Sequence, residues 1–284
     1  MDSLTSATPS KTGDLAIREA LARRYGAALP PAGPWNEVIA TLLQHRSVRG
    51  YKPDALPAGT LETMIAAASS AATSSNMQWW TAIAITDPDK KKKLAVLAGN
   101  QKHIVECPLF IAWVVDMSRN QAIGEELNTE FTTMPWLETW LCACMDVSLA
   151  AQNAVVAAEA IGLGTVYIGA MRNHPLEVAE LLGLPKQSFV LFGLCVGYAT
   201  EKGVGEVKPR LPQTAVLHHE RYDTAKSAEA RKAYDAELMA FSARHELQAG
   251  TWTARVKNRL APLSSMQGRE KLRGILKTLG FELR

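Results

Sequence analysis

Four stretches of this 284-residue chain carry side chains suited to holding a ligand, and they lie far apart in sequence. His45-Arg46-Ser47-Val48-Arg49 sets cationic and donor side chains and a hydroxyl at the end of an expected helix. Such a cluster suits a phosphate monoester, because each hydrogen bond to a charged group contributes about 1.5–3 kcal/mol. A basic helix end offsetting the C-terminal dipole would look the same. Ala72-Thr73-Ser74-Ser75-Asn76-Met77-Gln78-Trp79-Trp80 gathers small hydroxyls and amides ahead of a strand. These could hydrogen-bond a flat heterocycle, or simply form a capped turn. In the Gly-rich run from Gly162 to Ala170, Gly169 and Ala170 would let a ring approach the backbone. Lys208-Pro209-Arg210 adds two cations near a strand end. No G-x-G-x-x-G followed by a distant acid occurs, so the dinucleotide pyrophosphate fingerprint is missing.

The elements that must position these residues follow from periodicity. Helices are expected over 35–44 and about 61–72, the second with Leu61, Met64, Ile65 and Ala68 on one face. Residues 79–86 alternate like a strand, with Asp87 placed to cap the next helix. Pro108 to Asp116 reads as a buried strand. Residues 136–161 read as a long helix, apolar nearly all round, so it must be buried centrally or in a subunit interface. A short strand at 165–168, a helix capped by Asn173, a central strand at 188–198 and a helical tail (225–244, 252–260, 268–279) complete the chain. Long helices around short, scattered strands make this an α+β protein.

Composition narrows the classes. Apolar residues make up 47% and charged residues 21%, which fits a globular core and not disorder. A net charge of +3, evenly spread, does not suit nucleic-acid binding. The run Lys90 to Lys93 reads as a solvated helix face. Cys107, Cys142, Cys144 and Cys195 lie in apolar settings without zinc spacing, and Cys142 and Cys144 are expected in the core. No metal is expected. Neither a signal peptide nor an uncharged run long enough to span a bilayer is apparent, so a cytoplasmic, reduced protein with no membrane partner is expected.

The order of motifs carries a resemblance. HRSVR, TSSNMQWW, GNQKH (99–103), AAQNAVVAAEAIGLGTVYIGAMRN (150–173) and FGLCVGYATEKGVGEVKPRLP (192–212) together resemble oxygen-insensitive nitroreductases. The nearest branch is the NADPH nitroreductase/flavin reductase P group. The resemblance runs from about Ile39 to the C-terminus. It implies a nitroreductase-like α+β fold, with a central mixed, mostly antiparallel sheet flanked by helices and a helical C-terminal excursion. The division implied is an N-terminal arm (1–34), an FMN-binding core (35–222) and a helical extension (223–284) wrapping the core or partner.

The resemblance also implies roles. FMN would sit at a homodimer interface, its phosphate held by His45, Arg46 and Ser47 with Lys208 and Arg210. Arg49 would lie along the ring's pyrimidine edge, where positive charge meets the charge that reduction places there. Thr73, Ser74 and Ser75 would cross to the partner's flavin, Gln101 would contact the isoalloxazine, and Ile168, Gly169 and Ala170 would back it. NADPH or NADH would be the co-substrate and a small aromatic molecule, such as a nitroaromatic or quinone, the acceptor. Flavin reduction on behalf of a partner enzyme is the alternative. Arg269 aligns with an arginine at the mouth of the acceptor site. Three departures matter: Thr73 replaces a serine, Asn76 stands where this branch often has an aromatic, and the arginine-rich 2′-phosphate clamp is reduced to Arg244 and His245.

Overall fold

The computed structural model describes residues 11–245 and 250–284, with side chains from residue 15 onward. In chain order the elements are α1 (Lys11–Tyr25), α2 (Glu37–Gln44), α3 (Thr60–Ser69), β1 (Trp80–Ile85), α4 (Pro88–Leu97), α5 (Lys102–Glu106) and β2 (Leu109–Asp116). Then come α6 (Ser118–Glu126), α7 (Leu137–Ala160), β3 (Gly164–Ile168), α8 (Pro175–Leu182), β4 (Ser188–Gly197), α9 (Glu201–Val204), α10 (Lys226–Arg244), α11 (Trp252–Leu260) and α12 (Leu272–Thr278). Side-chain caps start several of these helices. Asn36 accepts from the Ile39 N–H at 3.0 Å, Asp87 from those of Asp89 and Lys90 at 2.8 and 3.3 Å, and Thr251 from that of Ala254 at 3.0 Å. Gly162, at φ +83°, follows α7 in a left-handed turn that a side chain would strain.

The chain forms two compact units: one runs to Arg46 and resumes over Glu206–Ser265, and the other comprises Ser47–Gly205 with Met266–Arg284. The second holds a four-stranded sheet in the order β1-β2-β4-β3, with every neighbouring pair antiparallel. Among the described residues a parallel pairing occurs at an isolated bridge beside the sheet, Ser47 to Thr165. β2 is buried along its whole length, as its unbroken apolar run requires. On one face Ile111, Trp113, Leu194 and Val196 meet the small residues of α7, including Ala143, Ala150, Ala154 and Ala158, which let the helix settle close to the sheet. On the other face Phe110, Ala112, Val114 and Cys195 pack with Leu94, Ile104 and Val178. Gly193 is obligatory there, since a Cβ would lie 2.1 Å from Cζ of Phe110.

The first unit has its own small core of Tyr234, Leu238 and Phe241, with Leu211 and Trp252 against it. The Tyr234 hydroxyl donates to the Pro209 carbonyl at 3.0 Å, tying α10 to the segment that carries Lys208 and Arg210.

Several expectations are corrected. Lys91 is not solvated: it is 6% exposed and its Nζ donates to the Cys107 carbonyl at 2.5 Å. Cys142 and Cys144 are half-buried, whereas Cys107 and Cys195 are the buried pair. α8 begins at Pro175, and Asn173 does not cap it; its Nδ2 donates to Oε1 of Gln267 at 3.2 Å instead. α7 is long and apolar enough to cross a membrane by length and composition, but eight of its residues are buried within the fold.

Candidate functional site

In the first unit, α2 ends at His45, whose N–H reaches the Leu42 carbonyl at 3.3 Å, and Arg46 follows. The other cationic segment is brought to the same place by Arg24 of α1. Its Nε and Nη1 donate to the carbonyls of Leu43 and Lys208, both at 2.9 Å, and its Nη2 donates to the His45 carbonyl. The Arg24 carbonyl in turn accepts from the Arg210 N–H at 2.7 Å. Arg210 also donates from Nη1 to the carbonyls of Lys208 and Pro209, at 3.2 and 3.3 Å. His45, Arg46, Lys208 and Arg210 are thus drawn from segments some 160 residues apart into one unit. Among the described residues no carboxylate pairs with Arg46 or Arg210.

In the second unit, Ser47-Val48-Arg49 lies along the free edge of β3. The Val48 N–H donates to the Thr165 carbonyl at 2.9 Å, and Arg49 N–H donates to Gly203 at 3.3 Å. Gly164 makes this possible, since a Cβ would sit 2.6 Å from Cγ2 of Val48. Gly50 and Gly203 likewise touch backbone to backbone. Val48 is buried, while Ser47 and Arg49 on either side are exposed. The alternation directs hydroxyl and guanidinium away from the core.

Gln101 donates from Nε2 to the Ala98 carbonyl at 3.0 Å and its Oε1 lies 3.0 Å from Nε2 of His103. Burial first, and then the positive charge of Arg49, hold His103 below its ordinary value. At neutral pH it is an uncharged imidazole beside a guanidinium. Ile168 is buried at the end of β3 and leads into a turn of Gly169, Ala170 and Met171. A Cβ on Gly169 would come within 3.3 Å of Nη2 of Arg172, and Arg172 also donates from Nη1 to the Leu191 carbonyl. The turn 169–173 meets the segment that bears Arg269 through Asn173 and Gln267, and Arg269 donates from Nε to the Met266 carbonyl at 2.8 Å.

The Thr73–Gln78 turn is bound elsewhere. The Thr73 hydroxyl donates to Oδ2 of Asp146 at 2.5 Å, the Ser74 N–H to Oδ1 at 3.0 Å and the Trp79 N–H to Oδ2 at 3.3 Å. Asp146, on α7, is 2% exposed. From the other side Arg119 donates from Nη2 to the carbonyls of Gln78 and Trp80 at 2.7 and 2.9 Å, and from Nη1 to the Thr81 hydroxyl and Asp116. Burial would raise the Asp116 carboxyl, but hydrogen bonds from Ser118 and Thr81 and the Arg119 charge hold it below the ordinary value. Ser74 and Ser75 remain exposed. Arg244, at the end of α10, pairs with Glu237 at 3.6 Å. Residues 246–249, which follow it in the shortened clamp, lie outside the described residues.

The donor set fits a phosphorylated planar group. Arg46 and Arg210, which no carboxylate among the described residues pairs, suit a dianionic ester, and in the second unit the glycine at 169 would allow a ring close to the backbone. A cavity of about 540 Å³ between α6 and the C-terminal segment, lined by Gln121, Glu125, Glu130 and Arg284, includes none of these residues.

Comparison with known proteins decides the family. The Nitroreductase family model matches residues 42–198, and the model of its C-terminal domain matches 208–284. The chain belongs to the nitroreductase family. Among its relatives, the NADPH-flavin oxidoreductase of Vibrio harveyi is 36% identical over 80% of this chain and 92% of its own length. The FMN reductase [NAD(P)H] of Bacillus subtilis is 38% identical over 66% of this chain and 75% of its own. The solved structure of B. megaterium NfrA2 superposes with a TM-score of 0.82 at 37% identity, covering 88% of this chain and all of that one. The ordered motifs pointed to this family. Sequence reasoning missed Arg24, His103, Arg119, Asp146 and Arg172. Of these, Asp146 had a visible signal: a lone acid between Ala143, Val147 and Ala150 on the apolar face of a helix.

Proposed function

We propose that this member of the nitroreductase family is an FMN-dependent NAD(P)H oxidoreductase that works as a homodimer. Its acceptors would be nitroaromatics, quinones or related small aromatic molecules, reduced by two-electron hydride transfer. The observation that carries the reading is the cationic set His45, Arg46, Lys208 and Arg210, gathered in one unit with no carboxylate among the described residues paired to either arginine. Bound FMN would supply the redox chemistry, taking hydride from the nicotinamide and passing it to the acceptor. The chain supplies binding, orientation and charge.

In this reading His45, Arg46, Ser47, Lys208 and Arg210 hold the phosphate. Arg49 lies at the pyrimidine edge, Gln101 hydrogen-bonds the ring, and Ile168, Gly169 and Ala170 back it. The neutral imidazole of His103 fixes the Gln101 amide by its 3.0 Å contact. Arg269 meets negative charge on the acceptor's oxygens. Thr73, Ser74 and Ser75 face the partner's flavin. Two features support that last assignment: the exposure of Ser74 and Ser75, and the mounting of their turn on α7 through Asp146. The same helix exposes Leu137, Leu141, Met145 and Leu149, at 43–54%, in one stripe of four-residue spacing. An apolar stripe of this kind suits a subunit interface. The four free cysteines accord with a reducing, cytoplasmic setting.

Arg244 is the candidate reader of the 2′-phosphate of NADPH. Its ion pair with Glu237 engages part of its charge, so NADPH preference over NADH should stay below about a hundredfold, the scale of one or two charged contacts. A second reading, reduction of free flavin, is favoured by the names of the two relatives above. The test is to denature the purified protein and identify the released flavin, then compare turnover of free FMN and a nitroaromatic with each nicotinamide. Release of FAD, or no NAD(P)H consumption with any acceptor, would refute the main reading; turnover of free FMN alone would favour the second.

A further inference from the structure

We infer that Arg24, on the amino-terminal helix, is a positioning residue of the phosphate site and makes the end of α2 compatible with an anion. The inference rests on the phosphate reading above. α1 lies outside the region matched by the family models, which begin at residue 42. The B. megaterium structure is covered completely while 12% of this chain is left over. The helix thus lies outside the residues that the family models match, and its last turn reaches the residues proposed to bind FMN.

The electrostatic problem it answers is specific. His45 and Arg46 follow the C-terminus of α2, where unpaired carbonyls carry partial negative charge equivalent to about half an elementary charge. A phosphate dianion is disfavoured there. Arg24 is 4% exposed and its guanidinium points three donors at main-chain carbonyls. Two of these, Leu43 and His45, are carbonyls of that helix end, and the third is Lys208. The guanidinium thus neutralises the helix end and locks the Lys208 segment to it, while its own carbonyl fixes the Arg210 N–H at 2.7 Å. Arg24 donates into the backbone, and the anion is left to the Arg46 side chain and to the Nε and Nη2 donors of Arg210, whose Nη1 bonds the carbonyls of Lys208 and Pro209. Lysine, with a single ammonium on a flexible stem, lacks the planar fork that spans three carbonyls.

The test compares FMN with riboflavin, which has the same ring and no phosphate. Dissociation constants are measured by flavin fluorescence quenching for wild type, Arg24→Met, Arg24→Lys and Arg46→Ala. Arg24→Met should weaken FMN about tenfold or more while riboflavin changes less than about twofold. Arg24→Lys, which keeps charge and bulk and protects the fold if the methionine variant does not accumulate, should show the same selective loss. Parallel loss of both ligands would reduce Arg24 to a general structural residue and overturn the inference; so would unchanged FMN binding in both variants. The Arg46→Ala arm separates the failures. If it lowers the FMN-to-riboflavin preference and the Arg24 variants do not, only the inference falls. If Arg46→Ala leaves that preference intact, the phosphate reading falls with it.

Discussion

Removing the carboxylate of Asp146 should release the Thr73–Gln78 turn, and the size of the effect follows from the geometry. Asp146 accepts three hydrogen bonds, from the Thr73 hydroxyl, the Ser74 N–H and the Trp79 N–H. Bonds to a charged acceptor contribute about 1.5–3 kcal/mol each when measured singly. Three on one carboxylate do not add in full, because the turn can open to water once its anchor is gone. The turn also holds Ser75, Asn76 and Gln78 at φ of +49°, +57° and +52°, a conformation that costs non-glycine residues about 1–2 kcal/mol each and persists only where surroundings enforce it. Relaxation of these residues returns part of the loss. Asp146→Ala is therefore expected to cost about 2–4 kcal/mol, and Asp146→Asn, which keeps one acceptor oxygen, about half of that. Thr73→Val should cost about 1–3 kcal/mol, since its hydroxyl donates to Asp146 and also accepts from the Gln78 N–H at 3.0 Å. Thr73→Ser should be close to neutral.

The assay is urea unfolding at one fixed protein concentration, which the proposed dimer requires, combined with a double-mutant cycle on Thr73 and Asp146. The coupling energy should be at least about 1 kcal/mol. Limited proteolysis should show new cleavage within 73–79 in Asp146→Ala. Additive effects of the two substitutions, or a destabilisation below about 0.5 kcal/mol for Asp146→Ala, would refute the view that this buried carboxylate shapes the turn.

Arg269→Ala should lower kcat/KM for a nitroaromatic or quinone by about tenfold or more while flavin content and NAD(P)H oxidation by the enzyme change little; an unchanged kcat/KM removes Arg269 from the acceptor site. Met145→Glu combined with Leu149→Glu places two charges in the exposed stripe of α7 and should shift the sedimentation coefficient to that of a monomer; an intact dimer would locate the interface elsewhere. Acidification should destabilise the protein through two groups held below their ordinary values, His103 and Asp116. In each case the folded state binds fewer protons than the unfolded one, so the contribution is full above the ordinary value and is lost as pH falls toward the depressed one. His103 acts first, below its ordinary value of 6.5, and Asp116 only below the ordinary carboxylate range. His103→Gln should flatten urea midpoints as pH falls below 6.5 without touching the carboxylate-driven loss at lower pH; identical pH slopes just below 6.5 would count against the His103 contribution.

Most of the framework is legible in the sequence because its signals are local. The run Leu109–Asp116 has no polar residue until its end and is buried throughout. Asp87 followed by Pro88 starts a helix as capping chemistry requires. α7, α10 and α11 begin and end within a residue or two of where periodicity places them. What fails locally fails for a physical reason. Lys91 sits in a lysine run that reads as solvated, yet a four-carbon stem is apolar enough to lie buried if the ammonium finds an acceptor, and the Cys107 carbonyl is that acceptor. Asn173 has the right side chain for a cap, but it reaches Gln267, far along the chain.

The candidate site divides along the same line. Residue types at His45–Arg49, Thr73–Ser75 and Lys208–Arg210 are visible and suggest anion and heterocycle binding. The groups that hold them in place are not. Arg24 acts on the carbonyls of Leu43, His45 and Lys208, and a carbonyl is common to every residue, so no pattern of side chains can announce that partner. Arg119 likewise binds the carbonyls of Gln78 and Trp80. A guanidinium bonded to backbone carbonyls therefore looks, in sequence, like any other arginine. The same property makes the contact tolerant: the residues at 43, 45 and 208 could change identity while their carbonyls kept Arg24 satisfied. Dependence on Arg24 should accordingly be felt in substitutions of the arginine itself, and Leu43→Ala, which keeps its carbonyl, should leave the preference for FMN over riboflavin unaltered.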